Sequence, residues 1–376
     1  SDSEVCRDPI GEGLRECRQV WEHELCDCTG RAGRSRGERP HRAWFQRSHR
    51  SLRRRPHLGC DGAPLVTPKT DMSLALLFPG QGSQVIGMAQ ALAASEPAAA
   101  AALSAADDVL GFSLSSLMAN GPEDDLKATK NAQPAILAHS VAVLRVVQER
   151  LGPVSFAAGH SLGEFSAHVA AGTLTFEDAL AAVRLRGELM FDAGQARPGT
   201  MAAILGLADA DVEDVCASVD RGVCVPANFN SRGQVVISGD RAGVEQGMAR
   251  AKEAGAKRTV ELNVSGAFHS PLMEPAAAGL RQNLDSIDFQ DPAYPVVSNV
   301  TAAPVTEGAQ ARELLVEQLT SPVRWSGSIQ AMVDHGVDSF LELGPGGVLC
   351  GLNRRNAKGL PCRSLGEPTD LESWYT

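Results

Sequence analysis

With 376 residues, 43% of them hydrophobic, the chain can bury a sizeable core as one large domain or two ordinary ones. A formal net charge of −10 argues against general binding of nucleic acid, which needs a concentrated basic surface. No apolar run approaches the roughly 20 residues needed to span a bilayer, and the N-terminus lacks the layout of a secretory signal, so a cytoplasmic protein without membrane attachment is expected.

Residues 1–71 stand apart in texture. They hold 14 Lys/Arg against 11 Asp/Glu and five of the nine cysteines, with no sustained helical or strand period. Such a stretch reads as a disordered or non-native leader. Its acidic residues Asp2, Glu4, Asp8, Glu12 and Glu16 fit a transit peptide poorly. Cys17, His23, Cys26 and Cys28 do not fall into the paired spacings of zinc sites, and no metal is expected.

From Met72 onward the pattern is regular. The apolar run "LALLF" (74–78) predicts a buried strand that ends in the loop "PGQGSQ". Alanine-rich helices are predicted around 86–106 and 134–150, then a second buried strand, "VSFAAG", and a helix through "SLGEFSAHVAAG" that closes at Gly172. Strand–helix alternation implies a mainly parallel sheet covered by helices, with functional groups at the carboxyl ends of its strands. Between 198 and 263 the strand-like "GTMAAILGL", "VCVPANFNS" and "QVVISG", with two helical segments, predict a β-α-β-β-α-β unit of ferredoxin-like type. Alternation then resumes through "YPVVSNV" and "SFLELG". The expected fold is therefore α/β, a hydrolase-like parallel-sheet large subdomain (72–197 and 264–376) with an inserted ferredoxin-like small subdomain (198–263). Cys216, Cys224, Cys350 and Cys362 form no close pair in sequence and read as reduced thiols.

"GHSLG" (159–163) is a G-x-S-x-G sequence between a predicted strand and a predicted helix, the context in which such a serine is held out on a sharp turn. The helix start supplies unpaired N–H groups where an oxyanion would develop, the Leu162 N–H first among them. A chance turn before a helix is the plain alternative. Serine is a weak nucleophile at neutral pH and needs a base. Among the histidines of the body, His139 and His168 fall in helical patterns, His335 precedes a glycine at a helix end, and His160 adjoins Ser161 on a turn where neighbouring side chains diverge. His269 lies in the loop "VSGAFHSPLM" among small residues, and is the candidate base. "FPGQGSQ" fails both the G-x-G-x-x-G pattern and the P-loop pattern, so no nucleotide cofactor is expected; backbone near Gln81 could instead give a second oxyanion donor.

These segments, together with "RLRGELM", "NFNSRGQVVISG", "SPVRW" and "LELGPGG" in this order, resemble the malonyl-CoA:acyl carrier protein transacylases and the acyltransferase domains of polyketide and fatty-acid synthases. The resemblance covers nearly all of 72–365. It implies a Ser161 nucleophile, a His269 base, and backbone oxyanion donors at Gln81 and Leu162. It further implies that Arg186 clasps the malonyl carboxylate, as a planar guanidinium can do with two bonds. In this family main-chain carbonyls orient the histidine, and Asn230 and Arg324 occupy the corresponding segments. Phe268, just before the base, resembles malonyl-selective members, where a bulky ring would exclude an α-methyl branch.

The expected activity is ping-pong transfer of malonyl from malonyl-CoA to holo acyl carrier protein, as a monomer, for fatty-acid or polyketide assembly. A basic rim, with Arg354 and Arg355 as candidates, would receive the acidic carrier. The rivals are a serine hydrolase with the same turn, distinguished by water as the acyl acceptor, and a subunit that keeps the fold without the chemistry.

Overall fold

Apolar side chains on both faces make Leu74–Phe78 a strand that needs cover on two sides. A computed structural model describes residues 73–376 and places this strand inside a sheet; residues 1–71, expected to be a leader, and their cysteine–histidine cluster lie outside the described residues. In chain order the strands are β1 (Leu74–Phe78), β2 (Val154–Gly159), β3 (Gly199–Leu205), β4 (Cys224–Ser231), β5 (Gln234–Asp240), β6 (Arg258–Glu261), β7 (Val296–Val297), β8 (Pro304–Val305), β9 (Ser339–Leu343) and β10 (Cys362–Leu365).

Six strands form the larger sheet in the order β10-β9-β1-β2-β7-β8, parallel throughout except for the β7–β8 pair at one edge. Phe78 at the end of β1 is paired with Gly159 at the end of β2, so the loops that follow these two strands emerge side by side. Long helices Thr129–Val147 and Phe176–Ala196 pack on each other, and they approach closely because Gly187 faces the backbone of Thr129 and Lys130, where a Cβ would meet Lys130 Cα at 2.7 Å. The second sheet, β4-β5-β3-β6, is wholly antiparallel. Helices Asp209–Ser218 and Arg241–Glu253 cover it through Val212, Val215 and Val244, packed with Ile204 and Ile237. Hydrogen bonds from Phe229 N–H to the Val323 carbonyl and from Val323 N–H to the Ala227 carbonyl, both 2.8 Å, tie β4 to the segment that precedes helix Trp325–Asp334.

Three expectations need correction. The helix expected over 86–106 is two, Gln90–Ser95 and Pro97–Leu110, because Glu96 is extended and Pro97 restarts the helix at a position where its missing N–H costs nothing. The helix expected over 134–150 begins earlier, at Thr129, and ends at Val147. The thiols are not all reduced: Cys350, on helix Val348–Asn356, and Cys362, on β10, form a disulfide. They lie twelve positions apart in sequence, and only the return of the chain into the sheet brings them together. Cys216 and Cys224 remain free and buried, with their sulfurs 3.7 Å apart. Among the described residues no helix is long and apolar enough to cross a membrane.

Candidate active site

Ser161 follows β2 on a tight turn with φ 51°, a left-handed conformation that bulky residues avoid. The turn closes because two glycines lie against backbone: a Cβ at Gly159 would overlap the Gly163 carbonyl group, and one at Gly163 would overlap the Phe78 carbonyl oxygen. The strained serine is held at both ends. Its N–H donates to Asn299 Oδ1 at 2.7 Å, and its carbonyl accepts from Gln318 Nε2 at 3.0 Å. Asn299, just past β7, is fixed in turn by its Nδ2, which donates to the Gly159 carbonyl at 2.7 Å.

His269 also has positive φ, 56°, and is buried. Its Nδ1–H donates to the Gln318 carbonyl at 2.8 Å, which leaves the Nε2 lone pair for the Ser161 hydroxyl, also at 2.8 Å. Burial, then the positive charge of Arg186, lowers the imidazole pKa to about 3, so the ring is neutral, with a free lone pair on Nε2, but is a weak base until that charge is offset. The carbonyl that orients it is therefore neither of the two expected. The Asn230 carbonyl accepts from Asn356 Nδ2 at 2.9 Å, and the Arg324 carbonyl accepts from Ser328 N–H at 2.9 Å. Gln318 is the C-cap of helix Gly308–Glu317, where carbonyls have no intrahelical partner, and that frees its oxygen for the imidazole. The Asn230 side chain instead accepts from His160 Nε2 at 2.9 Å, and the His160 ring lies against Trp325, turned away from Ser161.

Arg186 projects from helix Phe176–Ala196 and is 1% exposed. Its Nη1 donates to Gln133 Oε1 at 2.6 Å, and its Nη2 donates to Gln318 Oε1 at 2.9 Å and to Ser161 Oγ at 3.1 Å. Among the described residues its Nε–H has no acceptor. Among the described residues Arg186 forms no ion pair with a carboxylate. Burial lowers its pKa to about 10, which still leaves it charged at neutral pH.

Glu164, in the first turn of helix Gly163–Ala170, is 1% exposed. Its Oε2 accepts from Gln318 Nε2 at 2.5 Å and from Asn299 N–H at 3.2 Å. Burial raises its pKa to about 7, against the opposing pull of these bonds and of Arg186. Of the two expected oxyanion donors, Leu162 follows Ser161 directly, and Gln81 lies in the loop after β1, whose start packs on the serine turn where Gly163 meets the Phe78 and Pro79 carbonyl oxygens. No protein acceptor among the described residues takes the N–H of Gln81 or of Leu162. The Gln81 side-chain Nε2 donates to Thr129 Oγ1 at 3.2 Å. Phe268 is buried beside His269. The other histidines of the body serve the framework: His139 Nε2 donates to the Gly366 carbonyl at 2.8 Å, His168 is buried, and His335 is exposed at a helix end. Among the described residues no group of three or more His, Cys, Asp or Glu is placed to hold a metal ion.

The structure thus brings Ser161, His269, Arg186, Leu162 and the Gln81 loop together, and it adds Gln318, Asn299, Glu164 and Gln133, which the sequence reading did not single out. A hydroxyl on a neutral imidazole, unpaired N–H groups beside it and a buried cation 3.1 Å away suit acyl transfer from a donor that carries its own negative charge.

Comparison with known proteins points the same way. Residues 75–367 match the family model described as acyl transferase domain. A malonyl CoA-acyl carrier protein transacylase from Bacillus subtilis is 48% identical over 301 residues, 80% of this chain and 95% of that protein. The crystal structure of an acyl carrier protein S-malonyltransferase from Vibrio cholerae is 42% identical with a TM-score of 0.78, over 80% of this chain and 99% of that one. A malonyl-transacylase solved in complex with its holo acyl-carrier protein, from a type II PKS, is also 42% identical with a TM-score of 0.78, over 80% of this chain and 98% of that one.

Proposed function

The chain belongs to the acyl transferase domain family, and on that footing we infer that it is a malonyl-CoA:acyl carrier protein S-malonyltransferase. One observation carries this reading: Arg186 is buried, forms no ion pair with a protein carboxylate among the described residues, and donates to the Oγ of Ser161 at 3.1 Å. A cation so placed is costly unless a substrate carboxylate completes it, and malonyl carries that carboxylate two carbons from the thioester.

The reaction runs in two halves. Ser161 Oγ gives its proton to His269 Nε2 and attacks the thioester carbon of malonyl-CoA. The oxyanion of the tetrahedral intermediate rests on the N–H groups of Gln81 and Leu162. The C–S bond breaks, and the CoA sulfur leaves with the proton from His269. In the second half the phosphopantetheine thiol of the carrier protein gives its proton to the same nitrogen and attacks the Ser161 ester, and the serine leaves as the hydroxyl. The malonyl carboxylate on Arg186 also offsets the positive charge that weakens His269 as a base, so binding of the right substrate strengthens the base. Phe268 sets the acyl selectivity.

We assign the chemistry to residues 72–197 and 264–376, with 198–263 as the smaller subdomain. The product supplies extender units for fatty-acid synthesis. The enzyme acts in the cytoplasm as a monomer, a reading supported by a site built from one chain. Arg354 and Arg355, exposed in the last turn of helix Val348–Asn356, belong to the surface that meets the acidic carrier.

Intact-mass measurement after brief exposure to malonyl-CoA, then to holo acyl carrier protein, tests the assignment with Ser161→Ala as control. A malonyl adduct that requires Ser161 and moves to the carrier is expected. An adduct released only as free malonate would make the protein a hydrolase, and no adduct would remove the assignment.

A further inference from the structure

We propose that Glu164 is a positioning residue for malonyl recognition: its buried carboxylate fixes the side-chain amide of Gln318, and that amide presents Arg186 to the substrate. The proposal rests on the transferase reading above and adds to it a residue that touches neither substrate nor reacting atoms.

The argument starts from the two ends of one amide. Gln318 Nε2 points at two acceptors, Glu164 Oε2 at 2.5 Å and the Ser161 carbonyl at 3.0 Å. Its Oε1 points at a donor, Arg186 Nη2, at 2.9 Å. Turning the amide over would set its NH2 against the guanidinium and its oxygen against a carboxylate and a carbonyl. Glu164 supplies the shorter of the two contacts, 2.5 Å against 3.0 Å, and in its ionised form the bond to a charged group is worth more than one to a neutral group. The orientation of Gln318 is thus set from the side remote from substrate. Correctly turned, Gln318 Oε1 and Gln133 Oε1 each take one N–H of Arg186, while Nε–H and the contact with Ser161 Oγ remain for the acyl group.

Two other roles of the same cluster are insulated from this one. The carbonyl that orients His269 belongs to the main chain of Gln318 and does not depend on how its amide is turned. The turn at Ser161 keeps its two Asn299 side-chain bonds of 2.7 Å whatever happens to Glu164, and only the longer 3.0 Å bond from Gln318 Nε2 to the Ser161 carbonyl is exposed to a turned amide. Loss of Glu164 should therefore damage handling of the malonyl carboxylate more than acyl transfer itself.

The experiment compares single-turnover loading of Ser161 from malonyl-CoA and from acetyl-CoA, which has no carboxylate to place. Glu164→Met removes the acceptor; Glu164→Gln keeps an amide oxygen that Gln318 can still use. For Glu164→Met, malonyl loading is expected to fall about ten- to a hundredfold, with acetyl loading within about twofold of the parent. Glu164→Gln should recover most of the malonyl loading. In an Arg186→Met background, Glu164→Met should add no more than about twofold to the loss, because the two residues act in series. A parallel fall for both donors, a Glu164→Gln variant as impaired as Glu164→Met, or full additivity with Arg186→Met would overturn the proposal. If Glu164→Met does not fold, Glu164→Ala carries the same test, since it removes the acceptor without forcing a new side chain into its place and leaves Gln318 intact. A parent enzyme that takes no malonyl at all would instead sink the transferase reading.

Discussion

Replacing Arg186 by methionine gives the sharpest forecast. The guanidinium keeps two donor positions for an acyl carboxylate, the Nε–H, which has no acceptor among the described residues, and the Nη2 group that reaches Ser161 Oγ. Hydrogen bonds to charged groups contribute about 1.5–3 kcal/mol each. Two of them together correspond to about 3–6 kcal/mol, and at 1.4 kcal/mol per decade malonyl kcat/KM should fall by roughly two to four orders of magnitude. Acetyl-CoA loses none of this. Removing the positive charge that depresses His269 should leave acetyl transfer equal to the parent or faster. Stability should change little: relief of a buried charge is offset by the orphaned oxygens of Gln133 and Gln318, at about 1–3 kcal/mol each. Single-turnover loading from the two donors, read by intact mass, together with a urea midpoint, measures all three quantities. Malonyl loading within tenfold of the parent, or a parallel fall for both donors, would refute the assignment of Arg186 to the substrate carboxylate.

Four further outcomes are expected. Phe268→Ser should narrow the preference for malonyl over methylmalonyl, whose ceiling for one extra methyl is about 10–200-fold; an unchanged ratio in direct competition counts against Phe268 as the selector. Gly163→Ala should destabilise the fold by about 1–3 kcal/mol or abolish soluble protein, because the new methyl meets the Phe78 carbonyl oxygen. A urea midpoint equal to the parent's contradicts that packing. Acid should destabilise the folded chain. His139, His160, His168 and His269 have pKa values lowered below 6.5 by burial, so their contribution is present above pH 6.5 and is lost as pH falls, while Glu164 and Glu342, raised to about 7, act in the opposite sense between pH 7 and 4.5. The three histidines lowered to about 3–4 already outweigh the two glutamates, which gives a slope on the order of 1 kcal/mol per pH unit near pH 5.5, and a melting temperature that stays level or rises from pH 6.5 to 5 would contradict it. Finally, charge reversal at both Arg354 and Arg355 should slow transfer to the carrier protein while loading from malonyl-CoA is retained; equal carrier kinetics would move the docking surface elsewhere.

Where chemistry is written in local pattern, the sequence was readable. The strands at 74–78 and 154–159 declare themselves as apolar runs closed by glycine, and between them they announce the loop at Gln81 and the turn at Ser161. His269 stands out because the other histidines of the body fall in helices, at a helix end or beside the serine itself. Gln318 left no such mark, because its importance comes from where a helix happens to stop and from what lies 49 and 157 residues away. Asn299 could have been found: it follows an apolar run, at the carboxyl end of a parallel strand, where such sheets gather functional groups. Glu164 offered the clue of a lone carboxylate in an otherwise apolar helical start. The disulfide was hidden for a related reason, since its two cysteines are distant in spacing and near only once β10 has joined β9.

The contact of Gly159 with Gly163, and of Gly163 with the end of β1, has a bearing on how this enzyme could be altered. The region that carries the nucleophile is solid backbone, with no side-chain space to trade, so it cannot drift by small steps toward another geometry. On the roles proposed above, variation in donor preference would enter through Phe268, Arg186 and the amides that brace it. The molecule is in this sense divided between a part that can only be inherited whole and a part open to tinkering, and a library aimed at new acyl groups should leave the first untouched.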